Sequence, residues 1–313
     1  MSRRFIPPAL PAHPDGSGRR RTLPPWLAAR LTPRHRYVLR VLLDHRVLTT
    51  THIAQLAYPS QDRARHNMAL LDQLPTAGRP NSAELVERFR PPRPPGEGTS
   101  PIHYVIGPAG AQVLAAESGI PLSELGYRRD RLVDWSRSPE LPHLLGINGI
   151  FASLADGARH HPCAELADWR PEHQCGFARP AHPDAFGTWR EGGPNGVSVY
   201  FFLEYDTGSE PLPKVVHKLR GYQRLARING FTTPVLIWTS SPRREAHLHA
   251  KIGTPPIPVF TTTSQARNGP LGPAGSVWLP VDSRHVGAPR LRLITLSRYA
   301  RPFPYKEAEG EDT

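Results

Sequence analysis

The sequence predicts a mixed chain, part α+β and part α/β: a small helical domain with a two-stranded ribbon, then a larger α-β-β-β-α-β domain. Three observations predict it. The 313 residues suffice for about two domains, each with its own small core. Before residue 107, three short stretches of helical apolar periodicity precede two short strand-like runs. After residue 138, a long apolar helix leads into three strand-like runs, a basic helix and one uninterrupted apolar strand.

Residues 1–30 read as a disordered basic arm, with Arg3, Arg4, Arg19, Arg20, Arg21 and Arg30 against one acid, Asp15, among six prolines. Such an arm would lie on phosphates, or remain a solvated tail. The first folded domain spans 31–130. Thr32-Pro33 is an N-cap followed by proline at the first helical position, and Val38, Leu39, Leu42 and Leu43 follow at helical spacing. A second helix starts near Thr50 or Thr51 and ends at Tyr58-Pro59. Ser60 caps a third, with Ala64, Met68, Leu71 and Leu74 on one face and Arg63, Arg65, His66 and Asn67 on the others. Glu84 to Arg90 and His103 to Ile106 read as strands around a Pro/Gly loop that carries Arg93. Gly107-Pro108 then opens a helix to about Ser118.

Three short helices followed by a ribbon is the order of a winged helix-turn-helix. Its third helix would meet base edges in the major groove through Arg63, Arg65, His66 and Asn67. The loop would lay Arg90 and Arg93 on the backbone. Double-stranded DNA is the expected partner; such domains also serve protein interaction. Charge agrees with the first reading. There are 39 basic against 27 acidic side chains, a net +12, which attracts polyanions. Only four of the basic residues are lysine, and with 37 prolines this matches a high-GC coding bias, so each lysine carries more information than an arginine.

The second domain spans 138–300, and 301–313 reads as an acidic disordered tail. Ser138-Pro139 caps a helix carrying Leu144, Leu145, Ile147, Ile150, Phe151 and Leu154. Ala164 to Trp169, His182 to Trp189 and Val197 to Tyr205 read as strands, Leu212 to Arg227 as a helix, and Pro234 to Thr239 as a buried strand.

Pro183-Asp184 falls on the second strand and Glu204-Tyr205-Asp206 ends the third. Antiparallel pairing would set Asp184 beside Glu204, and the period of two points Glu204 and Asp206 to one face. Three converging carboxylates repel one another, and oxygen ligands of this kind suit Mg²⁺ or Mn²⁺, which would polarise a phosphate and activate water. Lys214, Lys218 and Tyr222 follow at spacings of four on one helix face, where Lys218 would reach a phosphate oxygen or the attacking water. Asp206-Thr207-Gly208 is equally an ordinary turn sequence, and Lys218 and Tyr222 an ordinary exposed stripe.

The order and these residues resemble the PD-(D/E)xK nucleases, which have a restriction-endonuclease-like fold. Pro183-Asp184 and Glu204 match that pattern, but Asp206 stands where the family lysine belongs. Glu204-Tyr205-Asp206-Thr207-Gly208 and Lys218-x-x-x-Tyr222 are similar to runs of RecB-type nucleases, again without that lysine. The resemblance implies either a metal-dependent DNA endonuclease using Asp184, Glu204, Asp206, Lys218 and Tyr222, or a dead nuclease fold kept for binding or assembly.

Across residues 32–240 the chain resembles the replication-relaxation proteins of actinobacterial plasmids and integrative elements. The segments carrying this are Leu31-Thr32-Pro33-Arg34, Val47-Leu48-Thr49-Thr50, Tyr104 to Gly110, His143 to Asn148, Pro183-Asp184-Ala185, Phe202 to Glu210 and Lys218 to Tyr222. The resemblance implies a role in plasmid replication, relaxation or mobilisation; with the winged helix and the basic charge, the expectation is a cytoplasmic DNA-binding protein of a mobile element, with replication or transfer proteins or a second copy as partners. The alternatives are an active Mg²⁺-dependent DNA endonuclease, and a transcriptional regulator or an assembly adaptor with a catalytically dead nuclease fold.

Other chemistry is weakly signalled. His160, His161, Cys163, His173 and Cys175 match no zinc-finger spacing. Two cysteines exclude a disulfide scaffold and suit a reducing compartment. Gly107-Pro108-Ala109-Gly110 lacks the length and the lysine of a phosphate-binding loop. No run of about 20 apolar residues predicts a membrane span, and no apolar stretch near the N-terminus predicts a secretory signal.

Overall fold

The computed structural model describes residues 30–74, 84–92, 100–128, 135–267, 271–282 and 287–302. All but Arg30 of the expected basic arm, all but 301–302 of the expected acidic tail, and Arg93 lie outside them. Two compact units divide between Ala152 and Ser153.

In the first unit, α1 (Pro33–His45) starts where the sequence places it. The Thr32 hydroxyl accepts from the His35 amide at 3.2 Å, and proline occupies the first turn, where no helical N–H partner is needed. A two-residue β1 (Leu48–Thr49) follows, which sequence patterning does not signal. Thr49 caps α2 (Thr50–Ala57) and Ser60 caps α3 (Gln61–Gln73). Strands β2 (Val86–Phe89) and β3 (His103–Ile106) pair antiparallel, β3 also pairs with β1, and the sheet order is β1-β3-β2. Helix α4 (Pro108–Ser118) ends in left-handed Gly119.

Two glycines at the start of α4 are required by close approach. Gly107 and Ala109 donate their amides to Leu85 O and Glu84 O at 2.9 and 3.0 Å, drawing the helix onto the chain before β2. A Cβ on Gly107 would stand 2.2 Å from Glu84 O, and one on Gly110 2.3 Å from Leu85 O. Gly107→Ala is therefore expected to cost about 2–4 kcal/mol, read as a shifted urea midpoint of the first unit.

Helix α5 (Leu141–His160) contains the division between the units. The sequence places this helix wholly in the second domain; its first half instead belongs to the first unit. Leu141 is buried with Val47, Val105 and Trp135, while Leu144 and Leu145 pack against them. Buried Asn148 donates to His45 O at 3.0 Å and Val47 O at 2.8 Å, fastening the chain just after α1; His45 O also accepts from the Val47 amide at 2.8 Å.

The second unit is built on a seven-stranded sheet. Its strands are β4 (Ala164–Pro171), β5 (Ala185–Glu191), β6 (Val197–Asp206), β7 (Val235–Thr239), β8 (Val259–Thr263), β9 (Ser276–Pro280) and β10 (Leu291–Arg292), in the order β10-β9-β8-β7-β6-β5-β4. β4, β5 and β6 form an antiparallel meander. β6, β7 and β8 run parallel, so each step needs a crossover. Helices α6 (Leu212–Asn229) and α7 (Pro242–Ile252) supply the crossovers. They bury Val215, Leu219, Tyr222, Leu225 and Leu248 against Phe202, Val235, Ile237 and Val259 on one sheet face. β5 starts at Ala185, so Asp184 stands just before the strand rather than on it. Sequence reading stops at β7. It misses α7, which follows the capping Ser241, and β8, whose flanking Pro255, Pro256 and Pro258 resemble a loop.

Candidate functional site

Two sets of residues from the sequence are in question. In the first unit, Ala64, Met68 and Leu71 hold α3 down by burial, leaving its other faces to solvent. Arg63, Arg65 and His66 are exposed there. Arg65 pairs with Asp62 of its own helix at 2.7 Å. Arg63 and His66 have no hydrogen-bond or ion-pair partner for their side chains among the described residues. Asn67, expected at the base edges, also makes contacts within the unit. Its Nδ2 donates to Arg63 O at 2.8 Å within α3, and its Oδ1 accepts from His35 Nε2 of α1 at 3.0 Å. Arg90 also has a structural contact: its Nη1 donates to Ser100 O at 2.5 Å, and Ser100 Oγ to Pro91 O at 2.7 Å, closing the base of the loop. Arg90 itself remains exposed.

In the second unit, β5–β6 pairing sets Ala185 opposite Leu203, and the next step brings Asp184 to Glu204. Asp184 Oδ2 accepts from the Tyr205 amide at 2.7 Å. Glu204 points from the sheet centre into α6 and is 3% exposed. Its Oε2 accepts from Lys218 Nζ at 2.9 Å, and its Oε1 accepts from the Tyr222 hydroxyl. Burial first, then the charge of Asp184, push the Glu204 carboxyl up to about 8, against the pull of Lys218 and Tyr222. Burial pulls the Lys218 ammonium down, but the charges of Glu204 and Asp184 outweigh it and push it up. Tyr222 is buried, and burial and Glu204 hold its phenol above the ordinary range.

Asp206 is held apart from this group. Its Oδ2 accepts from Arg244 Nε at 2.7 Å and its Oδ1 from Arg244 Nη2 at 3.1 Å, with the Gly208 amide on Oδ1 at 2.8 Å. Gly208 has φ +86°, so the turn chemistry of Asp206-Thr207-Gly208 is realised, and Arg244 Nη2 also ties down Glu210 O at 2.5 Å. Arg244 escapes sequence reading because its helix does; the one signal was Ser241-Pro242, a cap with proline at the first helical position.

The three carboxylates expected to converge have different partners in the structure. Asp206 is paired with a forked guanidinium, and both Glu204 oxygens accept from protein donors. Among the described residues no group of three or more His, Cys, Asp or Glu is placed to hold a metal ion. Cys175 is buried, which pushes its thiol up to about 11, away from nucleophilic chemistry.

A model of the replication-relaxation family matches residues 39–236, well over half of the chain. The chain belongs to the replication-relaxation family. The matched stretch spans α3, Asp184, Glu204, Lys218 and Tyr222 and stops before Arg244. Membership connects the chain with replication and relaxation of mobile elements. Neither a curated protein nor a solved structure matches it. No helix among the described residues is long and apolar enough to cross a membrane.

Proposed function

We propose that this replication-relaxation protein binds double-stranded DNA of a mobile element through a winged helix-turn-helix in its first unit. Its second unit is a nuclease-like fold used for binding and assembly rather than hydrolysis. The observation that carries the DNA reading is α3: one face is buried on Ala64, Met68 and Leu71, and Arg63 and His66 stand exposed on the other. A helix held in this way presents donors to the major groove, and the +12 net charge draws the duplex in. The α-β-α-α-β-β order supports the same reading. The reading of the second unit rests on its internally neutralised acids. Lys218 and Tyr222 satisfy Glu204, and Arg244 satisfies Asp206, which supports a reading in which these carboxylates do not hold Mg²⁺ or Mn²⁺.

Duplex affinity measured by anisotropy across a salt series tests the first part. Log K is expected to fall linearly with log salt, with a slope of about −0.9 per neutralised phosphate. Arg63→Ala/His66→Ala is expected to weaken binding about tenfold or more. A flat salt response would refute direct DNA binding. Supercoiled plasmid in Mg²⁺, then Mn²⁺, tests the second part. It is expected to be retarded but uncut, and nicking abolished by Asp184→Ala and Lys218→Ala would make the protein a metal-dependent nuclease instead.

A further inference from the structure

The sheet face that carries Glu204 continues past α6 onto β5 and β4, and there it becomes aromatic. Phe202 packs against Tyr222 with ring centroids 5.3 Å apart, and Phe186 against Phe202 at 5.6 Å. Phe186 then meets Tyr200 in a near-parallel stack at 6.4 Å and 19°, and Phe177 edge-on at 5.3 Å. The outer members are open to solvent: Phe177 is 51% exposed and Tyr200 55%. Arg170 lies opposite Phe186 in the β4–β5 register, with its guanidinium 5.7 Å from the Phe186 centroid and 5.2 Å from that of Phe177. Its Nε is held by Asp168 at 2.7 Å, and the side chain remains exposed. Aromatic faces left in water beside a stacked guanidinium offer a platform on which a planar group can stack.

The neighbouring helix supplies the second observation. α6 contains no acidic residue, and its exposed face carries Arg220, Arg224 and Arg227. None of the three has a hydrogen-bond or ion-pair partner for its side chain among the described residues. Gly221 brings this helix against the chain that carries Phe177, since a Cβ there would lie 3.2 Å from Ala181 Cα and Pro180 O. The helix beside the aromatic surface thus carries unpaired cations on its exposed face.

We propose that this surface of the second unit binds unpaired nucleic acid, with bases stacking on Phe177, Phe186 and Tyr200 beside Arg170 and the backbone running along Arg220, Arg224 and Arg227. Stacked aromatics next to a cationic track are what a single strand needs, because every base offers a flat face and every linkage a charge. A duplex hides its base faces and cannot use the aromatics. A protein partner would have no need of the unpaired arginine row. The inference stands apart from duplex binding by α3, and each can fail without the other.

The test uses the full chain, with fluorescent oligo-dT and a duplex measured in parallel. Phe177→Ala/Tyr200→Ala alters only exposed side chains and is expected to weaken oligo-dT binding about tenfold or more, with duplex affinity unchanged. Phe177→Tyr/Tyr200→Phe is expected to restore it. Arg220→Ala/Arg224→Ala should make the oligo-dT salt dependence shallower, by about 0.7 in slope for each phosphate no longer neutralised. Arg63→Ala/His66→Ala should leave oligo-dT binding intact. Unchanged oligo-dT affinity in the aromatic double variant would overturn the proposal. If that variant instead turned a sedimenting dimer into a monomer with oligo-dT affinity intact, the surface would be an interface between copies.

Discussion

Arg244→Met is expected to destabilise the second unit by about 3–5 kcal/mol, read as a drop in its urea midpoint. The Asp206 side chain is 3% exposed, and the Arg244 guanidinium holds both of its oxygens. Removing the guanidinium leaves a carboxylate out of water with only the Gly208 amide, and also frees Glu210 O. Breaking a buried pair from one side costs far more than the pair contributes, because the orphaned charge keeps its desolvation penalty. Asp206→Asn/Arg244→Met should therefore recover much of the loss, since no unpaired charge remains, and the coupling in that cycle measures the pair. A loss below about 1 kcal/mol in the single variant would mean that water reaches Asp206.

The second large effect is a pH dependence centred on Glu204. Unfolded, this carboxyl ionises near 4.5; folded, burial and Asp184 keep its proton on to about 8. Between those values the unfolded chain has released the proton while the folded chain still holds it, so rising pH favours unfolding. The stabilisation is complete below about 4.5 and is lost as pH rises to about 8. Glu204→Gln lacks the titration. Relative to it, the native chain is expected to lose about 3–4 kcal/mol across that window in denaturant melts at stepped pH. A constant difference between the two proteins would show that Lys218 keeps Glu204 ionised throughout.

Local structure was the most legible part of this chain. Thr32-Pro33, Ser60 and Gly107-Pro108 mark helix starts because capping is a contest among neighbouring residues. Alternating and uninterrupted apolar runs locate β6 and β7 for the same local reason. The pairing of Asp184 with Glu204 could be read too, since an antiparallel register follows from where two strands begin and end. The boundary between units was less legible. Leu141, Leu144 and Leu145 have helical spacing that suits either unit, and only packing on Val47, Val105 and Trp135 assigns them.

The role of Asp206 shows the limit most clearly. Sequence placed it on the face of Glu204 and offered it to a metal ion or to a turn. Which of these holds depends on Arg244, 38 residues along the chain on a crossover helix that its own patterning does not announce. Asn67 is a similar case: its spacing on α3 suits base contact, and only the fold adds the hydrogen bond to His35, 32 residues earlier. Residue order was enough to place the helix starts, the central strands, the excess of positive charge and the family. Which charged and polar groups satisfy one another was settled only by the folded arrangement. That choice turns on a few ångströms between distant segments in a medium of low dielectric, where a partner at hydrogen-bond distance outweighs any local preference.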